Sequence, residues 1–181
     1  MPSPITVKIK CDQYLIRFLE TLYGTSPINF PVKSNFNMFL DVFLQQPPLD
    51  YQQQDFGDDT LIIQLPYFEV KDVRSYYYLS DKAQAKFVGE IYKFFKITFR
   101  REISKYIVLG LFRKDSIELF IDKYNLSLDC WDMLEKDYQR YIKLSCKKRL
   151  FRKNKNSSVK DPVCPVNGIS ENPVESMVIK N

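Results

Sequence analysis

The sequence predicts an α+β fold that is mainly helical, with about five helices, a small two-stranded sheet and a helical pair near the C-terminus. Three observations predict it. Apolar residues alternate with polar ones in only two short stretches and recur at intervals of three and four elsewhere. Prolines fall between these stretches, where they end elements instead of interrupting them. With 45% hydrophobic and 15% aromatic residues, the chain can bury a real core, so wholesale disorder is excluded.

Ile5-Thr6-Val7-Lys8-Ile9-Lys10 alternates with β-branched residues on one face and reads as a half-buried strand. From Asp12, which reads as an N-cap, Leu15, Phe18, Leu19 and Leu22 fall at helical spacing, and Gly24 sits where the helix would close. Pro27 and Pro31 bracket a loop. Ser34 then caps a second helix through Phe36, Met38, Phe39, Leu40, Val42, Phe43 and Leu44, which Pro47-Pro48 is expected to stop. The polar stretch Leu49 to Asp59 reads as an exposed loop. Thr60 to Leu65 follows as a second strand, ended by Pro66 and available to pair with the first. Ser80-Asp81 opens the longest helix, to about Leu109, with Phe87, Val88, Ile91, Phe94, Phe95, Ile103, Tyr106 and Ile107 on its apolar side and Gly110 at its end. Two shorter helices follow, at Asp115–Asn125 and about Asp129–Leu144. Residues 1–153 are expected to form a single globular domain whose C-terminal helical pair spans 112–150. Residues 154–181, polar and proline-containing, are expected to be a disordered tail.

Composition narrows the chemistry. Five glycines in 181 residues argue against a glycine-rich phosphate loop, and neither a Walker nor a dinucleotide motif is found. Histidine is absent, which removes the commonest general base and metal ligand. Cys11, Cys130, Cys146 and Cys164 are scattered, with no pair at zinc-ligand spacing, and read as free thiols in a reducing compartment. Asp55, Asp58 and Asp59 cluster in a polar loop. The expectation is a non-enzyme with no metal and no cofactor. The N-terminus lacks the pattern of a signal peptide, and no apolar run approaches the ~20 residues that span a bilayer. A cytoplasmic location and no membrane partner are therefore expected.

Charge is unevenly distributed. Residues 1–70 carry 4 basic and 8 acidic side chains, and residues 71–181 carry 23 basic and 14 acidic, which suits an anionic partner. The segment Lys114 to Lys148 concentrates the signal. Phe120, Tyr124, Leu126, Trp131 and Leu134 occupy the places where two short helices bury apolar side chains around a turn. Asn125 stands at that turn, where a left-handed conformation is needed. On these residues the stretch 115–144 resembles a bacterial or phage helix-turn-helix, which implies that the second helix meets DNA. Ile121 departs from the pattern, which has a small residue there, and Asp129 and Asp132 place acid at the start of the reading helix. Beyond it, Arg140, Lys143, Lys147, Lys148, Arg149, Arg152 and Lys153 form a basic run suited to phosphates, with Tyr141 and Phe151 interleaved. The same run is also what a solvated helix end looks like. The strand–helix opening ITVKIKCDQYLIRFLETLYG, the acidic loop and the terminal helical pair together look like uncharacterised small proteins of phages and mobile elements. The expected function is a nucleic-acid-binding accessory or regulatory protein of such an element, with DNA or RNA as partner. The aromatic richness supports an alternative, a protein-interaction or assembly module that forms a homo-oligomer or binds a protein partner.

Overall fold

A computed structural model of the protein describes residues 4–68 and 71–153, with side chains as far as Ser145. Residues 154–181, expected to be a disordered tail, lie outside the described residues. The architecture is the α+β, mainly helical one expected. In chain order it comprises β1 (Thr6–Lys10), α1 (Gln13–Tyr23), α2 (Asn35–Phe43), β2 (Thr60–Gln64), α3 (Asp81–Val108), α4 (Arg113–Lys123) and α5 (Trp131–Lys153), with 3-10 turns at Gly57–Asp59 and Leu128–Cys130. The chain divides into one unit of residues 1–143 and another of residues 144–181. Both strands, helices α1 to α4 and α5 as far as Lys143 belong to the first unit. In the second, the described part is the α5 backbone from Leu144 to Lys153.

The two strands pair antiparallel, with Thr6 opposite Gln64 and Lys10 opposite Thr60. Their alternation sends Val7, Ile9, Leu61 and Ile63 to one buried face. Two strands alone are marginal. Ile28 adds a third contact, donating its N–H to the Ile62 carbonyl (2.8 Å) and accepting from the Gln64 N–H (2.9 Å). The polar loop is tied back to this sheet. Asp55 accepts from Lys8 Nζ at 2.6 Å, from the Gly57 N–H and from the Thr60 hydroxyl, and Gln53 Nε2 donates to the Thr6 carbonyl.

Helix α1 buries Leu15, Ile16, Phe18 and Leu19, as its spacing predicts. Leu22, expected on the same face, is exposed. The chain leaves the core at Gly24, and Tyr23 instead turns inward, edge-on to Phe30 at 5.2 Å. Ser34 caps α2 by accepting the Asn37 N–H. The helix ends at Phe43, before Pro47-Pro48 can stop it, because Leu44 takes an extended conformation and enters the core. The ammonium of Lys71 receives the orphan carbonyls there, donating to those of Asp41, Val42 and Leu44.

Helix α3 is the spine. Phe87, Ile91, Phe95, Phe99 and Ile103, spaced at four, are all buried. Val88, Phe94 and Tyr106 are only half-buried and Ile107 is exposed, so the buried face is narrower than its apolar content suggests. The helix closes at Gly110 (φ 91°): the Gly110 N–H donates to the Ile107 carbonyl and the Leu111 N–H to the Tyr106 carbonyl. Helix α4 closes the same way at Asn125 (φ 49°), with Asn125 N–H to the Asp122 carbonyl and Leu126 N–H to the Ile121 carbonyl. Asn tolerates this left-handed conformation better than other residues with a Cβ. Asn125→Gly is expected to be neutral within about 0.5 kcal/mol and Asn125→Val to cost about 1–2 kcal/mol, as read from urea denaturation midpoints. Equal midpoints for the two variants would show that the turn imposes no left-handed constraint.

Candidate nucleic-acid interface

The C-terminal helical pair is held by α3. Phe120 of α4 and Tyr124 at its C-cap meet in a tilted arrangement at 4.6 Å. Phe120 also meets Phe99 at 5.0 Å, and Tyr124 meets Phe18 of α1 at 4.9 Å. The Tyr124 hydroxyl donates to Glu102 Oε1 at 2.8 Å, and Lys123 Nζ donates to both oxygens of the same carboxylate at 2.8 Å. Burial, then the Glu102 hydrogen bond, push the Tyr124 phenol up to about 12, so it remains a donor throughout the neutral range. Helix α5 is seated by buried Leu134 and Tyr138 and by a fork in which Arg100 Nε and Nη2 each donate to Asp137 at 2.9 Å. Lys96 approaches the same carboxylate at 3.3 Å. Arg113, at the start of α4, pairs with Glu135 of α5 at 3.0 Å.

These contacts give the five apolar positions of the pair their surroundings. Phe120, Tyr124, Leu126 and Leu134 are buried and Trp131 is half-buried. The backbone of α4 runs closest to α3. Ile121, in the place where a small residue was expected, is buried. Asp129 serves the turn into α5: Ser127 Oγ accepts its N–H and donates to its carboxylate.

Arg140 and Lys143 are exposed on α5. Lys147, Lys148, Arg149, Arg152 and Lys153 belong to the α5 backbone, while their side chains lie outside the described residues, as does the side chain of Phe151. Lys136, which the sequence reading passed over, is exposed and falls one helical turn before Arg140. The signal was the spacing: 136, 140 and 143 succeed each other at intervals of four and three, which places them along one stripe of a helix. Tyr141, a candidate for stacking on bases, is engaged within the fold. The Arg100 guanidinium lies 5.2 Å from its ring centroid, and Tyr138 flanks it at 6.1 Å.

Opposite charges are kept apart. Glu102, Glu135 and Asp137 are each consumed by an ion pair, while Lys136, Arg140 and Lys143 make none among the described residues. The exposed acids of α4 (Asp115, Glu118 and Asp122) fall at intervals of three and four and make that helix's outer face anionic.

Cys11 and Cys130 are the cysteines whose side chains are described; that of Cys146 on α5 lies outside the described residues. Cys11 is buried, and burial pushes its thiol up to about 12, while Cys130 is half-buried. No described helix is long and apolar enough to cross a membrane. No protein-family model, curated protein or solved structure matches this chain.

The Asp137 fork makes acid stability testable. Burial resists ionisation of this carboxyl, but the hydrogen bonds and charge of Arg100, with Lys96 beside it, outweigh burial and hold it below its ordinary value. A depressed native pKa contributes stability that is complete above the unfolded value of about 3.9 and is lost as pH falls through the native value. Asp137→Asn is therefore expected to cost about 1–3 kcal/mol at pH 7 and progressively less below about pH 4. A difference from wild type that stayed constant between pH 7 and pH 2.5 in denaturant titrations would rule out this linkage.

Proposed function

We propose that the protein is a nucleic-acid-binding accessory or regulatory protein of a phage or mobile element, acting without catalysis, which grips phosphates along the outer face of α5. What supports this reading is the stripe Lys136, Arg140 and Lys143, exposed and without ion pairs among the described residues, while Glu135 and Asp137 beside it are paired with Arg113, Arg100 and Lys96; Asp132, one turn before Lys136, is an exposed acid at the start of the stripe. Lys147 continues the same spacing, and Lys148, Arg149, Arg152 and Lys153 add charge in the succeeding turns of sequence. Lysine and arginine on a helix bind the backbone of DNA or RNA through charge, so the affinity is chiefly electrostatic and weakly dependent on sequence. The location this reading expects is the cytoplasm, where such a partner is accessible.

The test is fluorescence anisotropy of labelled duplex and single-stranded DNA across a salt series. Wild type is expected to bind at micromolar concentration or tighter in low salt and to weaken steeply as salt rises. Lys136→Glu, Arg140→Glu and Lys143→Glu combined, or the triple change Arg149→Glu, Arg152→Glu and Lys153→Glu, is expected to reduce affinity at least tenfold. Each lost contact should lower the salt slope by about one. Lys136, Arg140 and Lys143 are exposed, so unchanged circular dichroism should accompany the loss in that variant. Wild-type affinity in both triple variants would sink the proposal.

One observation favours a second reading, a protein-interaction module. Met38 and Val42 of α2 and Ile97 of α3 are exposed along an apolar groove of about 620 Å³ whose lining includes Phe36, Phe39 and Phe94. That reading expects a protein contact that Val42→Glu abolishes and that high salt leaves intact, measured by sedimentation or co-purification.

A further inference from the structure

The turn between α3 and α4 exposes apolar side chains that the fold does not use. Val108 is 86% exposed, Leu109 74% and Phe112 73%. They sit around Gly110, at the point where the two helices reverse. Cations surround them. Arg101 and Lys105 are exposed at intervals of four and three leading along α3 to Val108, and Lys114 is exposed just after Phe112. The Arg113–Glu135 pair at 3.0 Å fixes the start of α4 beside α5, one residue before Lys136. The apolar tip and the cationic stripe of α5 therefore lie on neighbouring parts of the first unit.

We propose that this tip is a wedge that enters duplex DNA between adjacent base pairs while Arg101, Lys105 and Lys114 contact the flanking phosphates. The inference rests on the nucleic-acid reading and deepens it by naming the form of the ligand, a duplex that can be kinked. Charge decides the occupant. A two-fold contact with a second copy would bring the three cations of one tip against those of the other, whereas DNA offers an anionic exterior around an apolar stack of bases. Aliphatic and phenylalanine side chains at a convex tip unstack a base step and bend the duplex toward the major groove by tens of degrees. The cost is lowest at pyrimidine–purine steps, so preference for such steps is expected without hydrogen bonds to base edges. Asp115, one residue beyond Lys114, begins the acidic stripe of α4 and limits how far the duplex extends over that helix.

The full-length chain is titrated onto a duplex with a donor and acceptor dye at its ends and 2-aminopurine at a central TA step. Leu109→Ala and Phe112→Ala are combined in one variant, and both positions are exposed, so the fold is unaffected. Wild type is expected to raise energy transfer and 2-aminopurine fluorescence. The double variant is expected to bind within about threefold of wild type and to lose most of both signals. A wild-type protein that binds in a salt-dependent way without either signal, or a double variant that distorts DNA as wild type does, overturns the wedge and leaves phosphate binding standing. No duplex binding at all overturns the wedge, and binding to neither duplex nor single-stranded nucleic acid overturns both proposals. Two controls test other occupants. Retention on phosphatidylglycerol vesicles that the double variant loses, without DNA distortion by wild type, would assign the tip to anionic lipid. A wild-type dimer that the double variant splits into monomers would assign it to self-association. Either result overturns the wedge.

Discussion

The buried row at intervals of four on α3 is the constraint that sets the arrangement of the other helices. A residue every four positions advances 400° around the helix, so the row drifts about 40° per step and winds across the surface instead of running along one side. Phe87, near the start, meets Phe36 and Phe39 of α2 and Phe30 before it. Phe95 meets Tyr14 and Phe18 of α1. Phe99 meets Phe120 of α4 and Tyr138 of α5. One helix thus receives four others in succession, each at a different angle around its axis. Most of these rings meet edge-on or tilted, the geometry in which the positive edge of one faces the negative face of another. The row costs little to form locally and yields stability only when every neighbour is seated.

The same winding decides which charges stay free. Where the row turns toward α4 and α5, α3 also presents Lys96, Arg100 and Glu102 to those helices, and each finds an opposite charge there. Pairing of this kind contributes modest stability, since the pairs remain partly solvated. Its larger effect is on the field outside. Glu135 and Asp137 of α5 are paired with Arg113, Arg100 and Lys96, while Lys136, Arg140 and Lys143 stay exposed, with Asp132 at the start of the same stripe. Tyr141 shows the same division of labour, because its ring supports Arg100 within the fold and is not free for a ligand.

Much of this was legible in the sequence because local periodicity reports burial directly. The strands, the helix count, the Ser34 cap and the left-handed Asn125 are written in two periods and a few residues with special backbone preferences. The features that were misread depended on distant partners. Leu22 has a core residue's spacing, but its neighbourhood ends with the helix. The prolines after α2 look like its stop, yet Lys71, distant in sequence, receives the terminal carbonyls. The basic run was found as a density of charge, whereas Lys136 lies apart from that density and is recognised only by its place on the stripe. Tyr141 is interleaved with cations in sequence, and only the fold shows which cation it faces.

The two helix closures of the C-terminal region separate what a turn requires from what a surface is for. Gly110 and Asn125 close their helices with the same pair of backbone hydrogen bonds, and in each case the residue after the left-handed position comes back over the helix end. In the second closure Leu126 and Ile121 are both buried, and the positions just before Tyr124 are the polar Asp122 and Lys123. In the first, Leu111 and Tyr106 are half-buried, and the side chains of Ile107, Val108, Leu109 and Phe112 are exposed and take no part in the closure. The same pair of backbone hydrogen bonds is therefore made with polar flanks in one turn and apolar flanks in the other. Neither the bend nor the core calls for the exposed aliphatic residues of the α3–α4 turn, and water disfavours them. Under the proposed wedge, their place among the exposed cations Arg101, Lys105 and Lys114 would suit a partner with an apolar interior behind an anionic surface.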